Sequence, residues 1–154
     1  MRNTLGEKIT LTLFGESHGE EIGCVLDGLP AGLIVDEQFI KEALSKRRPG
    51  TVLDTARIEK DNYRIVSGVF NGYTTGSPIC IIIKNENVRS SDYQDNIARP
   101  NHADYVAYEK YHGFNDYRGG GHFSGRLTAP IVAQGAICLK TLENKGIKIG
   151  RAHV

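Results

Sequence analysis

The sequence predicts an α+β fold built mainly on antiparallel sheet, and three observations carry that prediction. Alternating apolar segments at 9–13 and 22–26 are joined by a glycine-flanked turn. A second β-rich pair, 63–70 and 79–83, flanks the hairpin signal Asn71-Gly72. Helix-period stretches follow these pairs instead of alternating with single strands, which disfavours a doubly wound parallel sheet. At 154 residues and 40% hydrophobic content the chain suffices for one domain, 1–154, with a real core.

Each element has its own signal. Ile9, Leu11 and Leu13 alternate with Lys8, Thr10 and Thr12, and Ile22, Cys24 and Leu26 repeat the pattern, giving two half-buried strands. Asp36 can cap a helix whose apolar stripe is Phe39, Ile40, Ala43 and Leu44, and Pro49-Gly50 ends it after the basic run Lys46-Arg47-Arg48. Pro78 limits where the strand at 79–83 can begin, because proline has no N–H for a ladder. Ala103, Val106, Ala107, Lys110 and Tyr111 suit a helix after Pro100. Residues 128–145 suit a longer one, with Pro130 tolerated in its first turn and Gly146 past its end. Ile147 and Ile149 then read as the start of another strand. Residues 85–101 are polar and follow neither period, so they form a long loop and a candidate cover for a site.

Nineteen basic and 18 acidic residues leave a net charge of +1, so nothing global draws the chain to nucleic acid or to a membrane. Cys24, Cys80 and Cys138 are odd in number, far apart and without zinc spacing, and they read as buried free thiols in a reducing cytoplasm. No apolar run is long enough to span a bilayer, and the N-terminus lacks a signal-peptide pattern. The expectation is a soluble, intracellular protein that holds no metal.

The chemistry concentrates in three stretches. Gly15-Glu16-Ser17-His18-Gly19 sets an imidazole, which titrates near neutral pH, in a turn between two strands. The pentapeptide also matches the G-x-S-x-G of hydrolase nucleophile elbows. That motif needs a helix after the turn, whereas the residues here read as strand. Gly119-Gly120-Gly121-His122-Phe123-Ser124-Gly125-Arg126 meets neither the dinucleotide nor the P-loop fingerprint. Its unhindered backbone amides ahead of a helix, bracketed by Arg118 and Arg126, could still hold an anion, with a flexible loop as the alternative. Arg47, Arg48, Arg57, Arg99, Arg118 and Arg126 are scattered in sequence. Gathered around one pocket, their planar forks would hold a polyanion of carboxylates and phosphate.

Together these stretches resemble the N-terminal part of chorismate synthase. The run from Gly15 through Pro30 fits that family's first signature. Arg99-Pro100-Asn101-His102-Ala103-Asp104-Tyr105 resembles its second histidine segment, and Asp116-Tyr117-Arg118-Gly119-Gly120-Gly121 with Ser124-Gly125-Arg126 and Thr128 resembles its central signature. The resemblance runs along the whole chain.

It implies a β-α-β sandwich, a homotetramer, and a lyase that eliminates phosphate from 5-enolpyruvylshikimate 3-phosphate to give chorismate. The reaction is an anti 1,4-elimination that uses reduced FMN without net redox change. NADPH is the reductant where a member reduces its own flavin. By resemblance, His18 is the acid at the leaving phosphate and His102 protonates or hydrogen-bonds the reduced flavin. Arg47, Arg57, Arg99 and Arg126 line the substrate pocket, and His122, Phe123, Ser124 and Gly125 join His102 at the flavin. His112 and His153 match nothing and are read as structural.

The chain departs from the common pattern at Asn101, where many members have glycine. His122-Phe123 replaces a frequent Arg-Ser pair, and Leu53 stands where an arginine is frequent. Family members continue beyond Val154, and the missing part supplies a catalytic aspartate and many flavin contacts. A fragment is therefore expected to be silent alone and to bind FMN weakly. The runner-up reading is a non-catalytic anion- or nucleotide-binding domain.

Overall fold

Strand alternation becomes a sheet with one dry face. A computed structural model describes residues 2–48, 59–88, 91, 93–95 and 97–150. Strands β1 (Thr4–Leu5), β2 (Thr10–Gly15), β3 (Glu21–Asp27), β4 (Tyr63–Ser67) and β7 (Ile79–Lys84) form a five-stranded sheet in the order β1-β2-β3-β7-β4. Every pairing is antiparallel. The register sets Ile22 opposite Ile83, Cys24 opposite Ile81 and Leu26 opposite Ile79, so all six side chains fall on one buried face. Asn71-Gly72 joins two short strands, β5 (Val69–Phe70) and β6 (Tyr73–Thr74), which form a separate two-stranded ribbon between β4 and β7. The second hairpin expected from the sequence is therefore present, with a small hairpin at its tip.

Helices α1 (Glu37–Arg47) and α3 (Thr128–Asn144) cover the dry face. Ile40 and Leu44 of α1 meet Ala129, Ala133, Ala136 and Ile137 of α3 over the isoleucines of β7. The small residues let the α3 backbone approach the sheet, close enough for two polar groups to be satisfied inside the core. Cys24 Sγ donates to the Pro130 carbonyl at 3.1 Å, and Gln134 Nε2 donates to the Ile79 carbonyl at 2.8 Å. Burial pushes the Cys24 thiol up to about 12, assisted by Cys80, which makes Cys24 an inert core residue.

Asp36 caps α1 as its position in the sequence predicts, its carboxylate accepting from the Phe39 N–H at 3.0 Å. Asp36→Ala should cost about 1 kcal/mol and lower Tm by roughly 2–4 °C, measurable by thermal unfolding. The predicted stop at Pro49-Gly50 lies outside the described residues.

One expectation fails. No strand forms at 147–150. Gly146 and Ile147 donate their amides to the carbonyls of Glu143 and Leu142 at 2.9 Å each, so Ile147 closes the α3 C-terminus and cannot begin a new element. Helix α2 (Asp104–Tyr111) forms after Pro100 as expected; Ala107 is its buried residue, and Val106 is exposed.

Candidate active site

The loop after α2 folds into three successive glycines with φ of 60°, 84° and 53°. Three such residues in succession strongly favour glycine, which has no Cβ to strain. The effect of the run is to let two imidazoles pack against consecutive residues. A Cβ on Gly119 would overlap the His18 ring, and one on Gly120 would lie 2.7 Å from His102 Cε1. The His18 turn is fixed to the same loop, because the Ser17 N–H donates to the Gly121 carbonyl at 3.0 Å and His122 Nδ1 bonds the Gly15 carbonyl at 2.8 Å. The glycines thus serve as a close-packed platform for His18 and His102, where the sequence suggested an open anion cradle ahead of a helix. His18 and Ser17 are both buried, and strand β3 follows the turn. The helix that a serine nucleophile would need is absent from that position.

His102 is held by its own segment. Its Nδ1 lies 2.6 Å from Asp104 Oδ1, and Arg99 binds the same carboxylate through Nε at 2.8 Å and Nη2 at 3.0 Å. A carboxylate only accepts, so Nδ1 carries the proton. Arg99 Nη2 lies 3.1 Å from Nδ1 and 3.2 Å from Nε2 of the same ring. The Arg99 hydrogen bonds hold the Asp104 carboxyl well below the ordinary range against its partial burial, with His102 adding to the effect. A carboxyl depressed in the folded state stabilises the fold above about pH 4 and loses that contribution as pH falls. The stability gap between wild type and Asp104→Asn should therefore be widest near pH 7 and narrow below pH 4, read as Tm in the two buffers.

Tyr93, from the long loop, connects the two histidine regions. Its ring meets His18 edge-on at 5.0 Å between centroids, and the Arg99 guanidinium carbon sits 5.0 Å from the centroid of the same ring. A cavity of about 420 Å³ opens beside Arg99 and Asp104 and is walled by Tyr93, Ile97, Tyr105 and Tyr108. A second groove, of about 280 Å³, is walled by Phe14, Tyr111 and Phe123 and includes Gly120 and His122.

Arg47, Arg48 and Arg126 gather on Asp61, whose carboxylate is wholly buried, whereas Arg118 pairs with Asp116 at 2.7 Å. Arg47 Nη2 reaches Asp61 Oδ2 at 3.0 Å, Arg48 Nε reaches the same oxygen at 3.4 Å, and Arg126 Nη1 binds Oδ1. Burial alone would raise the Asp61 carboxyl, but the hydrogen bonds and charges of Arg126 and Arg47 bring it below its ordinary value. Asn85 attaches this group to the His18 turn. Its Oδ1 accepts from Arg126 Nε at 3.2 Å, while its Nδ2 donates to the carbonyls of Glu16 and Gly19 at 3.0 and 2.9 Å.

Of the residues singled out in the sequence, His18, His102 and Arg99 thus meet at the glycine platform, and Arg47 and Arg126 meet at Asp61. Phe123 lines the second groove, Ser124 Oγ accepts from the Arg126 N–H at 3.3 Å, and a Cβ on Gly125 would project into open space. Arg57, Leu53 and His153 lie outside the described residues. Asp61, Asn85, Tyr93 and Asp104 escaped the sequence reading. Only Asp104 carried a signal, two residues from His102 in a quoted motif.

A family profile described as chorismate synthase matches residues 9–154. Chorismate synthases of Wolinella succinogenes and Sulfurovum are 54% and 52% identical over 150 residues each, 96% of this chain and 41% and 42% of theirs. The Pyrococcus abyssi protein of that name is 50% identical over 151 residues, 97% of this chain. The chain thus spans about two fifths of the length of the curated relatives it matches. A crystal structure of a chorismate synthase superposes with a TM-score of 0.65 at 32% identity, covering 91% of this chain and 36% of that one. By profile, by sequence along nearly its whole length and by fold, the chain belongs to the chorismate synthase family.

Proposed function

We propose that this chain carries the two histidines and part of the anion pocket of a lyase that eliminates phosphate from 5-enolpyruvylshikimate 3-phosphate to give chorismate. The observation that supports this best is the packing of His18 and His102 on consecutive glycines, with arginines anchored to the same turns.

An anti 1,4-elimination needs a proton for the departing phosphate and cations where its charge develops. His18, buried in its turn, supplies the proton. Arg47, Arg99 and Arg126 supply the cations, with Arg57 as the fourth. Arg47 and Arg48 are better placed than Arg126 to touch a ligand, since their side chains keep 18% and 37% exposure against 4%. All three Arg126 nitrogens have internal acceptors: Asp61, Asn85 and the Lys84 carbonyl. Its part is therefore to hold the pocket's shape as much as to bind substrate.

The residues fit a flat aromatic cofactor along one side, because Phe14, Tyr111 and Phe123 wall a groove floored by Gly120. By the family resemblance His102, His122, Phe123, Ser124 and Gly125 would hold reduced FMN, and of these His122 and Phe123 line the groove. When bound, it supplies an electron-rich ring that lends electron density to the substrate as phosphate departs. His102, with Nδ1 committed to Asp104, offers Nε2 to hold or move a proton at the flavin. The active assembly is a homotetramer in the cytoplasm, with NADPH as reductant where the protein reduces its own flavin.

The test is anaerobic incubation of a chain of the relatives' full length with the substrate and reduced FMN. Chorismate and inorganic phosphate should appear in equal amounts, and oxidised FMN should support neither. Phosphate binding without turnover would favour the non-catalytic anion-binding reading.

A further inference from the structure

Asp61 is unlike any other acid in the described chain, because its carboxylate is completely buried and shared by three arginines from two separate regions. Guanidiniums this close repel one another unless an anion lies between them. Arg47 and Arg48 arrive from the end of α1 and Arg126 from the segment between the glycine platform and α3. The backbone at Asp61 is left-handed, with φ of +53°, a conformation that costs most residues but that aspartate and asparagine tolerate. Arg48 also donates to the Lys60 carbonyl, so the chain before Asp61 is part of the same clamp. Two residues earlier, buried Glu59 accepts the amides of Glu86 and Asn87 at 3.2 Å each and fixes the start of the long loop.

We infer that Asp61 is a positioning residue: a buried carboxylate that gathers Arg47, Arg48 and Arg126 into one preformed cationic cluster for the phosphorylated substrate. The three guanidiniums outnumber the carboxylate they share. Arg47 and Arg48 keep 18% and 37% of their side chains exposed, so the excess positive charge faces outward where a ligand anion would balance it. Holding the arginines in place beforehand spares the ligand the cost of ordering them. The identity of the ligand rests on the lyase reading, whereas the gathering of the arginines does not.

Asp61→Asn is the variant of choice, since asparagine keeps the shape and the left-handed backbone and removes only the charge. Leu44→Ala, a core truncation in α1, is the control for lost stability alone. Two readouts are taken in a chain of the relatives' full length: steady-state kinetics with 5-enolpyruvylshikimate 3-phosphate, and hydrogen exchange of the Arg126 Nε–H by NMR. With Asp61→Asn, kcat/KM should fall about 10²-fold, chiefly through KM, as expected when binding groups are misplaced. Arg126 Nε–H exchange should accelerate by at least about tenfold, the fold-change expected if the clamp opens. Leu44→Ala should show neither effect at a temperature where it is folded. An unchanged or tighter KM together with a protected Arg126 in Asp61→Asn would overturn the inference while leaving the lyase reading intact. If wild type forms no product, the lyase reading falls and Arg126 exchange decides the role of Asp61 by itself.

Discussion

His18→Ala and His102→Ala, each made in a chain of the relatives' full length, should lower turnover by on the order of 10² to 10⁴, the usual range for losing a general acid or base. The reasons differ. His18 is buried against Gly119, so its loss removes the proposed proton source for the leaving group from its packed position. His102 is oriented by Asp104, so Asp104→Asn should reproduce part of its loss by releasing the ring. Ser17→Ala should do far less, because Ser17 contributes its backbone N–H to Gly121 and stands ahead of a strand. Chorismate formation with reduced FMN in excess measures all four variants. Abolition by Ser17→Ala with both histidine variants active would return the nucleophile reading.

Gly119→Ala should be the most damaging single change to the platform. Its φ of +60° costs an alanine roughly 1–2 kcal/mol, and overpacking against the His18 ring adds roughly 1–3 kcal/mol. Tm should fall by on the order of 10 °C, and turnover should fall with it as the ring is displaced. Gly135→Ala is the matching contrast. Gly135 sits inside α3 with open space where a Cβ would project, so alanine there should raise stability by about 0.5–1 kcal/mol. Thermal unfolding of the two variants separates a glycine required by close approach from one that is not.

The sheet was legible because its period is local. Ile22, Cys24 and Leu26 declare their face without reference to any other segment, and Asp36 declares the α1 start through one short hydrogen bond. Helix α2 was less legible in its packing. Its pattern marked a helix, but the described chain offers Tyr105, Val106 and Tyr108 no cover. The strand read at Ile147 failed because a helix-capping apolar residue and a strand-starting one look alike until the amide bonds are known.

At the site, the long motifs around His18, His102 and the glycines were visible, and the arginines were suspected of gathering. What could not be read was how they gather. Asp61 lies 65 residues from Arg126, in a stretch with no motif, and only folding makes it their common partner. Tyr93 was hidden for the same reason, inside a loop whose composition signals polarity and nothing more. The purpose of the glycine loop was hidden as well. Composition suggested amides open to an anion, whereas the ring contacts require the missing Cβ atoms themselves.

The convergence of both histidines on one glycine turn is the claim on which the rest depends, and proton NMR of the 154-residue chain tests it directly. Nuclear Overhauser contacts should connect a Gly119 Hα to His18 Hε1 and a Gly120 Hα to His102 Hε1, because the His18 ring carbon overlaps the place a Gly119 Cβ would take and the His102 ring carbon lies 2.7 Å from that of a Gly120 Cβ. Assigned signals showing both contacts would establish the shared platform. Assigned signals showing neither, with the two imidazoles near unrelated residues, would contradict it.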